Sequence, residues 1–283
     1  MLLIDANSEK RAEMPKNQTL IDQIHQANIA VHRIEAKYYE LLHPEVYSKK
    51  EQRRVRCQLQ IMDKQIENNK KKALDVGAGT GNLTGKLLEM GYQVIATDIS
   101  PEMCVILKKK YAKYIPNKLT ILNSPIEDLN FKKEEFDLIV GYSVLHHLPD
   151  YQSALSTICG FLKKGGVIYL DHEASPFYWV GEKTMLASII KGLYFHANPM
   201  INGAYFQLIG LKVPTIDYTI SDYWHKKEHS MNHLTIAKLF KQQGFSIYTR
   251  TDHYLTGTWL PNPLSYVYRL VCRPEMSLWV AKK

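Results

Sequence analysis

The chain is predicted to fold as a doubly wound α/β protein. A mostly parallel, seven-stranded sheet carries an antiparallel C-terminal hairpin, N-terminal helices and a lid insertion. Three observations predict this. Between Lys72 and Ala174, short apolar runs alternate with helical stretches of roughly ten residues, the rhythm of a parallel sheet. A glycine-rich turn follows the first of those runs. After the fifth run the rhythm breaks from Ser175 to Asn232, far beyond the usual connection of about 2–6 residues.

Each element has its own warrant. Leu20, Ile21, Ile24, Ala27, Val31, Ile34, Tyr38 and Leu41 recur at three- and four-residue steps, which predicts an amphipathic helix ended by Pro44. A second helix, 49–68, carries Val55, Leu59, Met62 and Ile66 on one face. Leu74–Gly77 is a short apolar strand and Asn82–Met90 a helix. Gln93–Asp98 is a strand, and Pro101 opens the next helix, where its missing N–H costs little. Lys118–Asn123 and Phe136–Tyr142 are strands. Tyr151–Leu162 is a helix closed by the turn at Lys164–Gly166, and Val167–Glu173 is the fifth strand. Right-handed crossovers put every loop that follows a strand on one edge, where ligands bind.

The insertion is rich in aromatic residues: Phe177, Tyr178, Trp179, Tyr194, Phe195, Tyr205, Phe206, Tyr218, Tyr223 and Trp224. It reads as a substrate-binding lid. The core resumes with a helix over His233–Gln243 and a strand over Phe245–His253. A connector with Pro261, Pro263 and Pro274, expected without a regular crossover helix, leads to the last strand at Ser277–Ala281. The chain thus divides into an N-terminal helical extension (1–71), a ligand-binding core (72–174), the lid (175–232) and a C-terminal completion of the sheet (233–283).

Composition bounds the rest. The 283 residues suit one large domain with appendages, and 45% hydrophobic with 23% charged residues excludes wholesale disorder. A net charge of +8 permits an anionic partner without requiring one, since short runs such as Lys70–Lys72 and Lys108–Lys110 also read as solvated surface. Cys57, Cys104, Cys159 and Cys272 form no C-x-x-C pair, which points to reduced thiols and a cytoplasmic setting. MLLIDANSEKRAEMPK lacks the apolar core of a signal peptide. The apolar stretch Met185–Val213 is interrupted by Lys191, His196, Asn198, Pro199 and Asn202, so no membrane span is expected.

The strongest chemical signal is Leu74-Asp75-Val76-Gly77-Ala78-Gly79-Thr80-Gly81-Asn82-Leu83. Glycines at a strand-to-helix turn let a ligand approach the backbone. The spacing is G-x-G-x-G; the dinucleotide fingerprint would need glycine where Asn82 stands, so a cofactor without a pyrophosphate fits better. Asp98, at the tip of the neighbouring strand, suits a ribose diol.

With the chain around them, these residues resemble the class I S-adenosylmethionine-dependent methyltransferases. DVGAGTGNLT is similar to the family's first motif, and TDISPEMCVILKKK to its acidic-strand motif and following helix. NSPIEDLNF occupies the third strand's loop, EEFDLIVGYSVLHHLPD resembles the fourth-strand signature, and FLKKGGVIYLDH the fifth strand with its preceding turn. The resemblance implies a Rossmann-like core binding S-adenosyl-L-methionine and releasing S-adenosyl-L-homocysteine. It places Asp75, Gly77, Ala78 and Gly79 along the methionine moiety, with Gly81 shaping the turn. Asp98 would hold the ribose hydroxyls, Ile99 and Met103 pack on the adenine, and Tyr142 sits near the sulfonium. Where many relatives carry Gly-Asp in the third loop, this chain has Asn123-Ser124, so Ser124, the main chain near Ile126, or Glu127 takes over adenine recognition. Tyr38 or Tyr39 would fold over the cofactor, Tyr39 being the residue assigned; the alternative is a helix packed on the side of the sheet.

Methyl transfer is a direct displacement, so alignment matters most and a general base is needed only if the acceptor loses a proton. The candidates are His147 after the fourth strand, and Asp171 and His172 ending the fifth. The lid adds His196, His225, His229 and His233, yet no ligand spacing is tight enough to predict a metal. The expected reaction is methylation at O or N of a small molecule; anionic, sugar-containing and lipid-linked acceptors all stay open, the last through peripheral contact with a membrane. A nucleic-acid methyltransferase is the second reading. It is supported by net charge but lacks the Asn/Asp-Pro-Pro-aromatic motif at Gly141–Val144. A non-catalytic cofactor-binding scaffold is the third.

Overall fold

The computed structural model describes residues 19–66, 71–193, 218–226, 229–254 and 262–283. Thr19 caps the first helix, α1 (Leu20–Glu35), by a reciprocal pair with Asp22. The helix expected to run on past Tyr38 stops earlier. Ala36–Tyr38 tightens into a 3-10 turn, then come α2 (Tyr39–Leu42), α3 (Pro44–Tyr47) and α4 (Lys49–Asp63). The turn folds His43 back to within 3.5 Å of Glu35. Pro44 therefore opens a short helix rather than ending a long one.

The core alternates as expected: β1 (Lys72–Val76), α5 (Asn82–Glu89), β2 (Gln93–Asp98), α6 (Pro101–Lys110), β3 (Leu119–Asn123), β4 (Phe136–Tyr142), α7 (Tyr151–Phe161) and β5 (Leu162–Ala174). β5 begins directly at the end of α7, so the turn expected at Lys164–Gly166 lies within a longer strand. After the described parts of the insertion, which include a helical stretch at 185–193, come α8 (His233–Gln242), β6 (Ile247–His253), α9 (Asn262–Val271) and β7 (Met276–Lys282). The expectation of a connector without a helix between the last two strands is corrected by α9. Pro263 sits at its start, where proline is tolerated.

The strand order is β3-β2-β1-β4-β5-β7-β6. The first five strands are parallel, and β7 runs antiparallel to both β5 and β6. Both sheet faces are covered. Leu74, Val76, Ile139, Ile168 and Leu170 pack on α7 and α8, whereas Ala73, Val94, Leu138, Val140 and Tyr169 pack toward α4 and α5. Successive strand residues serve opposite faces, as the pleat requires. The insertion's Tyr194, Phe195, His196, Tyr205 and Phe206, like Lys70 and the N-terminal stretch, lie outside the described residues. Among the described residues no helix is long and apolar enough to cross a membrane.

Candidate active site

The loops after β1, β2 and β4 converge on one sheet edge. Gly77, Gly79 and Gly81 all have left-handed φ, and Gly81 precedes the first residue of α5. A Cβ on Gly77 would lie 2.4 Å from Val144, whereas one on Gly79 would meet nothing within 4 Å. Gly77 is therefore required by packing, and Gly79 leaves its side of the loop free for a ligand. Asp98 closes the loop from β2: its carboxylate accepts the N–H of Gly79 at 2.7 Å and of Ser100 at 2.8 Å. Burial pushes its pKa up, opposed by His32 and those N–H groups. Asp75 lies behind the loop, accepting the Thr84 hydroxyl at 2.5 Å; burial pushes it up to about 7.

These groups line a cleft. Of the residues assigned to the cofactor, Tyr39, Gly77, Gly79, Asp98, Ile99, Met103, Ser124, Ile126 and Tyr142 line it. Asp75 and Ala78 line a smaller adjoining hollow with Gly77, Gly79 and Tyr142. Gly81 faces neither: a Cβ there would strike Leu107 and Tyr111, so its place is in the turn itself. Sequence reasoning missed the contribution of α1, whose His25, Asn28 and His32 form the opposite wall. Asn28 Nδ2 donates to the carbonyls of Ile24 and His147, both at 2.9 Å, which pins α1 over the cleft. The Oδ1 of Asn28 and the Oγ1 of Thr97 are buried with no hydrogen-bond partner among the described residues. Buried polar atoms are rarely left so, and both belong to residues of the cleft wall.

A second cavity of about 230 Å³ adjoins the first, and His32, Tyr39, Ser143 and His147 border both. Its walls combine histidines and carboxylates with Tyr39, Tyr178, Tyr218, Val46 and Met276. Glu35 is only 1% exposed. Burial would raise its pKa, but His32, His43 and the Tyr218 hydroxyl, which donates to it, hold it well below the usual carboxylate range. His43 in turn is pushed up to about 10, because Glu35 and Glu45 outweigh the cost of burial.

His172 stands on a bulge where β5 slips its register against β7, at φ +62°. Such strain persists only when neighbours impose it. Its ring stacks on Tyr142 at 4.9 Å, and its Nδ1 lies 3.0 Å from the Tyr142 hydroxyl. That hydroxyl gives its one proton to Glu51, so Nδ1 is the donor and Nε2 keeps a lone pair. Burial lowers the His172 pKa to about 4, so the ring is neutral at pH 7. His147 is lowered to about 4 by burial and by His146.

Asp171 is placed otherwise than a reacting group. It is wholly buried and lines neither cavity. It accepts from Arg54 (2.7 Å), His253 (2.9 Å), the His172 N–H (2.8 Å) and the Tyr169 hydroxyl. Burial would raise its pKa, but these partners hold it well below the usual range. It anchors the backbone beneath His172.

Residues 74–170 match the family model of the methyltransferase domain. Over 91 residues the chain is 38% identical to an uncharacterized methyltransferase of Oceanobacillus iheyensis, a match covering 32% of this chain and 40% of that protein. It is 27% identical over 144 residues to a ubiquinone biosynthesis O-methyltransferase of Coxiella burnetii, covering 49% of this chain and 61% of the other. These matches thus span less than two thirds of either relative. Among solved structures, an S-adenosylmethionine dependent methyltransferase from Mesorhizobium loti superposes with a TM-score of 0.53 at 18% identity, covering 79% of this chain and 96% of that one. This last likeness is one of fold.

Proposed function

We propose that this chain, whose residues 74–170 form a class I S-adenosylmethionine-dependent methyltransferase domain, methylates an O or N atom of a small polar molecule held in the histidine-lined cavity. The observation that carries this reading is the junction of two cavities across His32, Tyr39, Ser143 and His147. One cavity has the features of a nucleoside site; the other is suited to a polar acceptor.

The first cavity fits S-adenosylmethionine by its own chemistry. Gly79 adds no side chain to the loop, Asp98 offers carboxylate oxygens to a diol, and the partnerless Asn28 Oδ1 and Thr97 Oγ1 wait for donors. When bound, the cofactor supplies a methyl group already activated by its sulfonium. The protein's part is alignment, worth up to about 7–11 kcal/mol. Tyr39 and Tyr142 border the cleft together with the glycine loop. His172, whose Nε2 keeps a lone pair, is the group that would take a proton from a hydroxyl acceptor.

Titration calorimetry with S-adenosylmethionine and S-adenosylhomocysteine, with NAD as control, tests the first half. Both should bind and NAD should not. Transfer of labelled methyl to a panel of small hydroxyl and amine acceptors tests the second. His172→Ala should lower turnover far more than cofactor affinity. A folded protein that binds neither cofactor form overturns the proposal.

A further inference from the structure

The second cavity contains more than an acceptor pocket. His146 and His147, in the loop after β4, meet Asp222, which lies far along the chain in the insertion. Each of the three brings a ligand atom within 4.8 Å of the others'. Sequence spacing gave no hint of this, because a segment of 218–226 folds onto the β4 loop: the Trp224 N–H donates to the His146 carbonyl and its indole N–H to that of Leu148.

The rings are also prepared. His146 Nδ1 lies 2.7 Å from Glu173 Oε2, and the same carboxylate accepts the N–H groups of Val144 and Leu145. An ionised carboxylate can only accept, so Nδ1 carries the hydrogen and Nε2 the lone pair. His147 Nδ1 lies 3.1 Å from the Ser221 carbonyl and 3.3 Å from Asp222 Oδ1, both acceptors only, so Nδ1 carries the hydrogen and Nε2 the lone pair. Imidazoles that bind metals are held this way, with the second nitrogen donated to a carboxylate or a backbone carbonyl. An independent observation points to the same spot. His225 lies with its ring 4.9 Å from that of His146, and its Nε2 is buried with no hydrogen-bond partner among the described residues.

We propose that His146, His147 and Asp222, with His225 as a further ligand, bind a divalent transition-metal ion on the wall of the second cavity. Imidazole nitrogens with one carboxylate select an ion such as Zn²⁺ or Fe²⁺ over Mg²⁺ and Ca²⁺, which prefer all-oxygen sets. The ligand residues all border the cavity, so the remaining coordination positions open toward the acceptor. A hydroxyl or carboxylate of the acceptor is the group such an ion would hold. The site stands on these side chains alone, whereas its use on an acceptor rests on the methyl-transfer reading.

The test uses the full chain stripped with a chelator and titrated with Zn²⁺, Fe²⁺ or Mg²⁺. One equivalent of Zn²⁺ or Fe²⁺ should bind, and Mg²⁺ should not compete. Asp222→Asn and His147→Gln, each checked for folding by circular dichroism, should weaken binding at least tenfold. The wild type gives a second readout: loaded with Cu²⁺, its pulsed electron paramagnetic resonance should show imidazole nitrogens. No stoichiometric binding, binding indifferent to both substitutions, or a spectrum without imidazole overturns the site. If Zn²⁺ binds while S-adenosylhomocysteine does not, the metal site holds and the methyl-transfer reading fails.

Discussion

Asp98 shows how much one side chain is asked to do. Its carboxylate holds the N–H groups of Gly79 and Ser100, and it borders the cleft where a ribose would lie. Asp98→Ala leaves two N–H groups without their acceptor and removes the diol's partner, at about 1–3 kcal/mol for such a loss. Calorimetry should find S-adenosylhomocysteine affinity down at least tenfold; unchanged affinity would refute the ribose assignment. The glycines divide the labour differently. A left-handed φ costs a residue with a Cβ about 1–2 kcal/mol, so both alanine variants are strained. Gly77→Ala also drives a Cβ into Val144, so its melting temperature should fall further than that of Gly79→Ala. Gly79→Val, which puts a branched side chain on the free side of the loop, should nearly abolish cofactor binding while the protein stays folded. These residues were legible because the motif is local: a strand tip, the turn after it, the next strand tip. Asn28 was not. Its one signal was an amide between Ile24 and Val31 on the buried face of α1, and only the tertiary docking of that helix shows that its partner is the His147 carbonyl.

Among the elements, the strands of the core were readable because burial on both faces makes them apolar runs, and Gln93–Asp98 and Phe136–Tyr142 fall where the pattern put them. α9 was not, because Pro263 within it, with Pro261 and Pro274 on either side and its aromatics, read as a connector. Pro263 stands at the second position of that helix, so the breaker was a starter. α1 was over-extended because periodicity runs on through Tyr38 while ion pairing folds the chain at Glu35. The least legible tie is the one between α4 and β5. Arg54, on α4, donates to Glu51 and to wholly buried Asp171, which His253 on β6 also holds. Removing one partner strands buried carboxylates. Arg54→Met should therefore destabilise by about 3–5 kcal/mol in urea unfolding, well beyond a surface arginine. Adding Asp171→Asn to that variant should recover part of the loss. A single variant as stable as wild type would mean the network contributes nothing net.

Across the whole molecule, the clasp around Glu35 joins parts of the chain that no local pattern connects: α1, the turn bearing His43, and Tyr218 from the insertion. The insertion was expected to lie over the ligand edge, and its described segment 218–226 does so; Tyr218 ties it to Glu35, while Trp224 packs on Tyr151 and donates to the Leu148 carbonyl. The clasp makes stability depend on pH in a definite direction. His43 has a folded pKa of about 10 against an ordinary 6.5. Below 6.5 both folded and unfolded chains carry the proton and the stabilisation is whole. As pH rises, the unfolded chain loses its proton first, and the advantage is spent by the time pH passes 10. Glu35, held below its ordinary 4.5, sets the opposite limit: its contribution is present above that value and is lost as pH falls. Other groups titrate in the same ranges, so the measurement is a difference. The melting temperature of wild type should exceed that of His43→Gln by its full margin below pH 6.5, and the gap should close as the pH approaches 10. A gap constant across that range would mean that His43 binds its proton equally well folded and unfolded, so that Glu35 and Glu45 do not raise its pKa.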